Sequence, residues 1–240
     1  MGYPAAGCRV RRPESTENGT KTGGNRKGLT QRTEIKGIGM KKRGIRAKYL
    51  RLTEEMNALD YLEKAYFFIQ QTENDVYAWK WVILSLFGAL YGFAICACRG
   101  TSNLLVTYKT KSGQERLIGF RTAIRYCQDP NIMGQYVFSR ELQLTKRQED
   151  SIKRMHEVFR NQFEHYIPKL WSIEVHGWPQ MAIDVLEVIR FLAIDTGNIL
   201  FRLKSSQVRK IKSCVYQSKR ILKNSKLYEE YKLHTSRKIE

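Results

Sequence analysis

From Trp81 to Cys98 the chain runs for eighteen residues without a charged side chain. A stretch of that length can cross a hydrocarbon layer, or it can lie at the centre of a core and be apolar all round. Trp79, Trp81 and Tyr91 suit the first reading as interfacial anchors, with Lys80 and Arg99 flanking the run. Against it, Ser85, two glycines, three alanines and two cysteines make the run only moderately apolar, and it would be the sole span. The first reading gives a small membrane-anchored protein. The second, favoured here, gives a helical domain built around one buried helix.

The neighbouring segments support a helical body. Thr53 before Glu54 and Glu55 is a helix start with acids in its first turn, and Ala58, Leu62, Ala65 and Ile69 recur at helical spacing to about Gln71. Asn74-Asp75 breaks the pattern and caps the next helix, over 76–98. Two β-prone runs, 104–109 and 115–120, flank Lys111-Ser112-Gly113 and predict a small hairpin inserted on the body. A short helix at 119–127 and a loop through Asp129-Pro130 and Gly134 follow. Thr145 and Gln148 form a capping-box pair that opens a helix ended near Ile167 by Pro168. Pro179 marks the start of another helix, to about Leu203. Ser205-Ser206 would cap the last, with Val208, Ile211, Val215 and Leu222 as its apolar stripe. The expectation is an all-α up-and-down bundle of five or six helices.

Charge divides the chain in a different way. Forty-two basic and twenty-three acidic residues leave a net charge of +19. Residues 1–50 hold +10 of it and residues 205–240 hold +7, so the 154 residues between carry only +2. Residues 1–50, with nine of the seventeen glycines, read as a flexible basic arm, in which Met40 (or Met56 beyond it) is an alternative start. Residues 51–204 form the helical domain and 205–240 a basic C-terminal helix or tail. Basic ends of this kind suit RNA or an anionic surface, although they can also be merely solvated. Lys210, Lys212 and Arg220 on the last helix are candidate substrate-binding cations.

The cysteines at 8, 96, 98, 127 and 214 show neither a disulfide framework nor a zinc spacing, and they are expected as buried thiols of a cytoplasmic protein. No apolar leader opens the sequence. No metal or other cofactor is implied.

The segment Phe159-Arg160-Asn161-Gln162-Phe163-Glu164-His165 carries the candidate chemistry. On a regular helical wheel with Ile152 at 0°, the apolar Ile152, Met155, Phe159, Phe163 and Tyr166 cluster near about 340°. Arg160 falls near about 80°, Glu164 near about 120°, Asn161 near about 180° and His165 near about 220°, all off the core. Asn161 and His165 are an i, i+4 pair that can touch. An imidazole beside a guanidinium suits RNA cleavage without metal: the first moves a proton near neutral pH and the second holds a phosphate. Asn161 would orient the ring or donate to the phosphate, and Glu164 is a weaker substrate-binding candidate. A solvated helix face with an ordinary histidine is the plain alternative. His156 reads as a boundary side chain, His176 as a loop residue, and Asp184 and Glu187 as helix-surface charges. Trp171 and Trp178 could stack on bases, but burial between helices is the favoured reading for both.

Arg160-Asn161-x-x-x-His165 resembles the R-[polar]-x-x-x-H signature of the HEPN superfamily of RNA-cleaving domains. The chain from about Trp79 to Leu192 is also similar to a set of uncharacterised bacterial HEPN-like proteins. The likeness is carried by Trp79-Lys80-Trp81-Val82, Leu117-Ile118-Gly119-Phe120, Phe159 to His165 and Trp171-Ser172-Ile173-Glu174. The resemblance implies a HEPN-like bundle and a homodimer that brings two motifs into one cleft. It also implies metal-independent endoribonuclease activity leaving a cyclic phosphate, and a role as toxin or antiphage defence effector, with an antitoxin or other regulatory protein as partner. Arg160, Asn161 and His165 would be the catalytic set. A HEPN-like protein that binds RNA or a partner without turnover is the second reading, and membrane anchoring the third.

Overall fold

The computed structural model describes residues 49–164, 168 and 170–236. The basic arm expected at 1–50 lies almost wholly outside these residues, as do His165, Tyr166 and Ile167. From Tyr49 onward the chain is one compact, mostly helical unit.

Helix α1 (Glu54–Ile69) starts where the Thr53 hydroxyl accepts the Met56 N–H at 3.2 Å. Asp75 then accepts the Tyr77 N–H at 2.8 Å and opens α2 (Ala78–Cys98). Helix α2 is the centre of the fold. It is long and apolar enough to cross a membrane, yet most of its residues are buried against α1, the helices that follow and the turns between them. Two glycines allow the close fit against α1. A Cβ at Gly92 would come within 2.7 Å of the Ala58 Cβ, and one at Gly88 within 2.7 Å of the Tyr61 ring.

The hairpin forms, but it is shorter than predicted. Strands β1 (Thr107–Lys109) and β2 (Glu115–Leu117) pair antiparallel with Thr107 opposite Leu117, and Gly113 turns between them at φ +78°. Leu104 and Leu105 belong to a 3₁₀ turn instead, and Tyr91 on α2 ties the hairpin's exit down by donating to the Ile118 carbonyl. Helix α3 (Phe120–Cys127) follows. The predicted loop at Asp129-Pro130 contains one helical turn, α4 (Pro130–Met133), with the Asp129 carboxylate accepting the Asn131 N–H.

Helix α5 (Lys146–Arg154) opens with the full reciprocal capping box of Thr145 and Gln148. It does not continue as a regular α-helix. Residues Met155–Arg160 form a wide π turn before α6 (Asn161–Glu164). Helix α7 (Trp178–Arg190) likewise passes into a π turn over Phe191–Asp195, and Gly197 at φ +80° ends the pattern predicted to reach Leu203. Helix α8 (Ser205–Lys223) begins without a serine cap; the Gln207 side chain accepts the Lys204 N–H instead. Ser225 then interrupts what reads in sequence as one last helix. Its hydroxyl donates to the Leu222 carbonyl and accepts the Tyr228 N–H, and α9 (Lys226–Ser236) starts anew. Helix α8 packs on α1 and α7 through Ile211, Val215 and Leu222, so the residues after 204 build on the helices before them.

Two charge assignments need correction. Asp184, expected on a helix surface, is fully buried between α5 and α7, where it accepts from Arg147 Nε at 3.1 Å, Ser151 Oγ at 2.8 Å and Gln180 Nε2 at 2.8 Å. Glu187 is half-buried and pairs with Lys219 at 2.7 Å. Of the two late tryptophans, Trp178 is buried against Trp79 and Phe159, and Trp171 is half-buried beside Phe163. The cysteines at 96, 98, 127 and 214 are buried and unbridged.

Candidate active-site cleft

The π turn decides where the motif points. A wide turn accommodates one more residue than an α turn, so positions beyond it are set back by about 100° relative to a regular wheel. Arg160 is thereby swung from the solvent side toward the core, and its side chain is only 26% exposed. This corrects the fully off-core position that the regular wheel predicts. The guanidinium lies 5.0 Å above the Phe87 ring on α2, a cation–π contact. Its Nη1 donates to Asn161 Oδ1 at 3.0 Å and its Nη2 pairs with Glu164 at 2.5 Å. Its Nε is buried and has no hydrogen-bond partner among the described residues.

Arg160 and Glu164 line a cleft of about 690 Å³. Helix α1 supplies Glu54, Asn57 and Tyr61; α2 supplies Trp81, Phe87 and Tyr91; Phe120 and His156 close one side. His156, one helical turn before Arg160, is half-buried and stacks on Phe87 at 5.5 Å, with Phe120 at 4.7 Å. Burial pushes its pKa below the ordinary histidine value, with Arg121 and Arg160 acting in the same direction and Glu157 opposing. Glu54 is shifted the other way. Burial and the adjacent Glu55 raise its carboxyl, against Arg99 and a hydrogen bond with Asn57. The cleft thus joins exposed aromatic rings, the Asn57 amide, the His156 imidazole, the carboxyl groups of Glu54 and Glu164, and one guanidinium.

Of the sequence-predicted set, Arg160, Asn161 and Glu164 are brought together, and His165 lies outside the described residues. Asn161 is engaged by Arg160 and by the Glu157 carbonyl at 3.5 Å. His156, Glu54, Asn57, Tyr61 and Trp81 are additions that the motif does not contain. The i, i+4 spacing of His156 and Arg160 was a usable signal for the first. The others arrive by tertiary packing.

The basic candidates separate. Lys210 faces α1, where it pairs with Glu63 at 2.6 Å. Lys212 and Arg220 instead line a groove of about 400 Å³ between α7 and α8, with Arg190, Lys219, Lys223 and the exposed Tyr216. Arg190 pairs with Asp195 and Lys219 with Glu187, whereas Lys212, Arg220 and Lys223 meet no carboxylate among the described residues. The groove therefore keeps a net positive charge. No family model matches this chain, and neither a curated protein nor a solved structure matches it.

Proposed function

We propose that this chain is a metal-independent endoribonuclease of the HEPN type, acting as a homodimer in the cytoplasm as a toxin or defence effector restrained by an antitoxin or another regulatory protein. The observation that carries the reading is the placement of Arg160. The motif arginine lines a cleft, oriented by Asn161 and Glu164, instead of standing free in solvent.

In this reading the ribose 2′-oxygen attacks the adjacent phosphorus, the bond to the 5′-oxygen breaks, and a cyclic phosphate and a 5′-hydroxyl result. His165 moves the proton from the attacking hydroxyl or to the leaving oxygen. Arg160 offsets the charge that builds on the phosphoryl oxygens. The second motif of the dimer supplies a partner for whichever proton transfer the first does not perform. A phosphate entering the cleft competes with Glu164 for the guanidinium, so Glu164 acts as a placeholder. The α7–α8 groove contributes sequence-tolerant contacts to the strand.

The test is cleavage of total cellular RNA by purified protein in EDTA, with Arg160→Ala and His165→Ala alongside. Loss in both variants supports the reading. Wild-type protein that binds RNA without cutting it transfers the assignment to the second reading, a non-catalytic RNA-binding HEPN-like protein. One observation favours that alternative: both terminal nitrogens of Arg160 are already engaged by neighbours on its own helix.

A further inference from the structure

The geometry points to a nucleobase pocket: the cleft beside Arg160 receives one unstacked base of a single-stranded RNA, its face on Tyr61 and its edge on Asn57 and Glu54. The inference rests on the preceding reading only for the identity of the ligand as RNA, not for its cleavage.

Tyr61 is built as a platform. One face of its ring is closed by the α2 backbone at Gly88, where even a Cβ would approach to 2.7 Å, yet the residue is still 40% exposed. An aromatic ring fixed from behind and open in front is what base stacking needs. Trp81, 48% exposed, stands on the same cleft as a second aromatic wall. Unstacked bases are read through hydrogen bonds at their edges, and α1 places the required groups one turn apart from Tyr61. Asn57 and Tyr61 are an i, i+4 pair, and Glu54 precedes Asn57 by three residues, so all three side chains share one helix face. Asn57 donates one amide N–H to Glu54 and keeps its second N–H and its carbonyl oxygen for a base. Glu54, whose carboxyl is held above its ordinary range by burial, adds an acceptor and, when protonated, a donor.

Charge fits a base better than a second phosphate. Glu54 and Glu164 offset Arg160 within the cleft, so one phosphate at most is accommodated, at the guanidinium end. Its volume lies inside the range of roughly 300–1,000 Å³ typical of small-molecule sites. The residue contacting the phosphate and the residues contacting the base therefore sit on opposite walls, the π turn before α6 on one side and α1 on the other, with α2 as the floor.

The test uses the full chain and uncleavable strands, so that turnover plays no part. Affinity is measured for a 2′-O-methyl single-stranded oligonucleotide and for an abasic strand of equal length and charge. The wild type should prefer the base-bearing strand. Tyr61→Ala should weaken that strand by about fivefold or more while leaving the abasic one unchanged, and Tyr61→Phe should retain the preference. Asn57→Ala should narrow the spread of affinities among the four homopolymers. Trp81→Ala, with circular dichroism to confirm folding, gives a second reading of the stack if Tyr61→Ala does not fold. Equal wild-type affinity for base-bearing and abasic strands overturns the pocket. So does an unchanged preference in both Tyr61→Ala and Trp81→Ala. Base preference without RNA cleavage leaves the pocket standing and removes only the nuclease assignment; cleavage without base preference does the reverse.

Discussion

The Arg160 guanidinium stands 5.0 Å over the Phe87 ring, and the same ring stacks on His156 at 5.5 Å. One aromatic side chain of α2 thus carries both the guanidinium and the imidazole that the π turn directs into the cleft. The arrangement ties the chemistry of the motif to the packing of the central helix.

Arg160→Ala is expected to lower RNA cleavage by about 10²–10³-fold, the usual effect of removing a preorganised charge from a developing anion. Because Arg160 is largely buried over Phe87, the same change should also lower stability, by about 1 kcal/mol from the lost cation–π and ion-pair contacts. Arg160→Lys should recover stability better than activity, since an ammonium cannot reproduce the planar, bidentate fork. Thermal melts and single-turnover cleavage separate the two effects. Equal recovery of both would remove the phosphate clamp from the mechanism.

His165→Ala is expected to abolish cleavage in EDTA-containing buffer, by about 10²–10⁴-fold, with the oligomeric state of the wild type unchanged. Combining it with Arg160→Ala should add little, because the two groups act on one transition state. Asn161→Ala should be milder than either. Its side chain steadies Arg160 through the 3.0 Å hydrogen bond, and the guanidinium keeps Glu164 when that bond is gone. Activity that survives His165→Ala would separate the motif from catalysis altogether.

The helices were legible because their signals are local. The Thr53 cap, the Asp75 cap, the Thr145–Gln148 box and the uncharged run of α2 each depend on residues within a turn or two. The hairpin was legible for the same reason, through Gly113. What escaped depends on packing across the chain. A π turn has no fixed residue signature, so a regular wheel placed Arg160 on the wrong side. Asp184 looked like a surface charge because its partners Arg147 and Ser151 come from α5, 37 and 33 residues away. The α1 wall of the cleft was invisible in the motif because Glu54, Asn57 and Tyr61 reach Arg160 only through the α1–α2 contact.

Asp184 is the polar clamp between α5 and α7, and its removal should be felt as instability. Asp184→Ala leaves the buried Gln180 amide with no acceptor and the half-buried Ser151 hydroxyl without its partner, a loss of about 1–3 kcal/mol. Asp184→Asn keeps an acceptor oxygen and should lose less. Arg147 can turn to water, being largely exposed, so its charge is not stranded. A chemical denaturation midpoint unchanged in Asp184→Ala would show that the network is ornamental.

His156 gives the fold an acid-side sensitivity. Its folded pKa lies below the unfolded value of about 6.5, so the unfolded chain takes up its proton first as pH falls. The stability tied to the neutral ring is complete above that unfolded value and is lost as pH drops through and below it. Proton NMR should place the His156 titration midpoint below 6.5, and His156→Gln should flatten the dependence of the melting temperature between about pH 7 and 5. A midpoint at or above the ordinary value would mean that Phe87 and Phe120 do not desolvate the ring.

The two sets of C-terminal cations should behave differently toward RNA. Lys212, Arg220 and Lys223 line the α7–α8 groove with no carboxylate among the described residues to neutralise them, whereas Lys210 pairs with Glu63. Each phosphate contact that is removed lowers the slope of log affinity against log salt by about 0.7 for a single strand. Lys212→Gln and Arg220→Gln should each weaken binding evenly across sequences and reduce that slope by about this amount. Lys210→Gln should leave the slope unchanged and loosen the α1–α8 contact only slightly, because so exposed a pair contributes little. Titrations of a labelled uncleavable strand at several salt concentrations resolve the difference. Equal slopes for all three variants would mean that binding follows the net charge of the helix and not the groove.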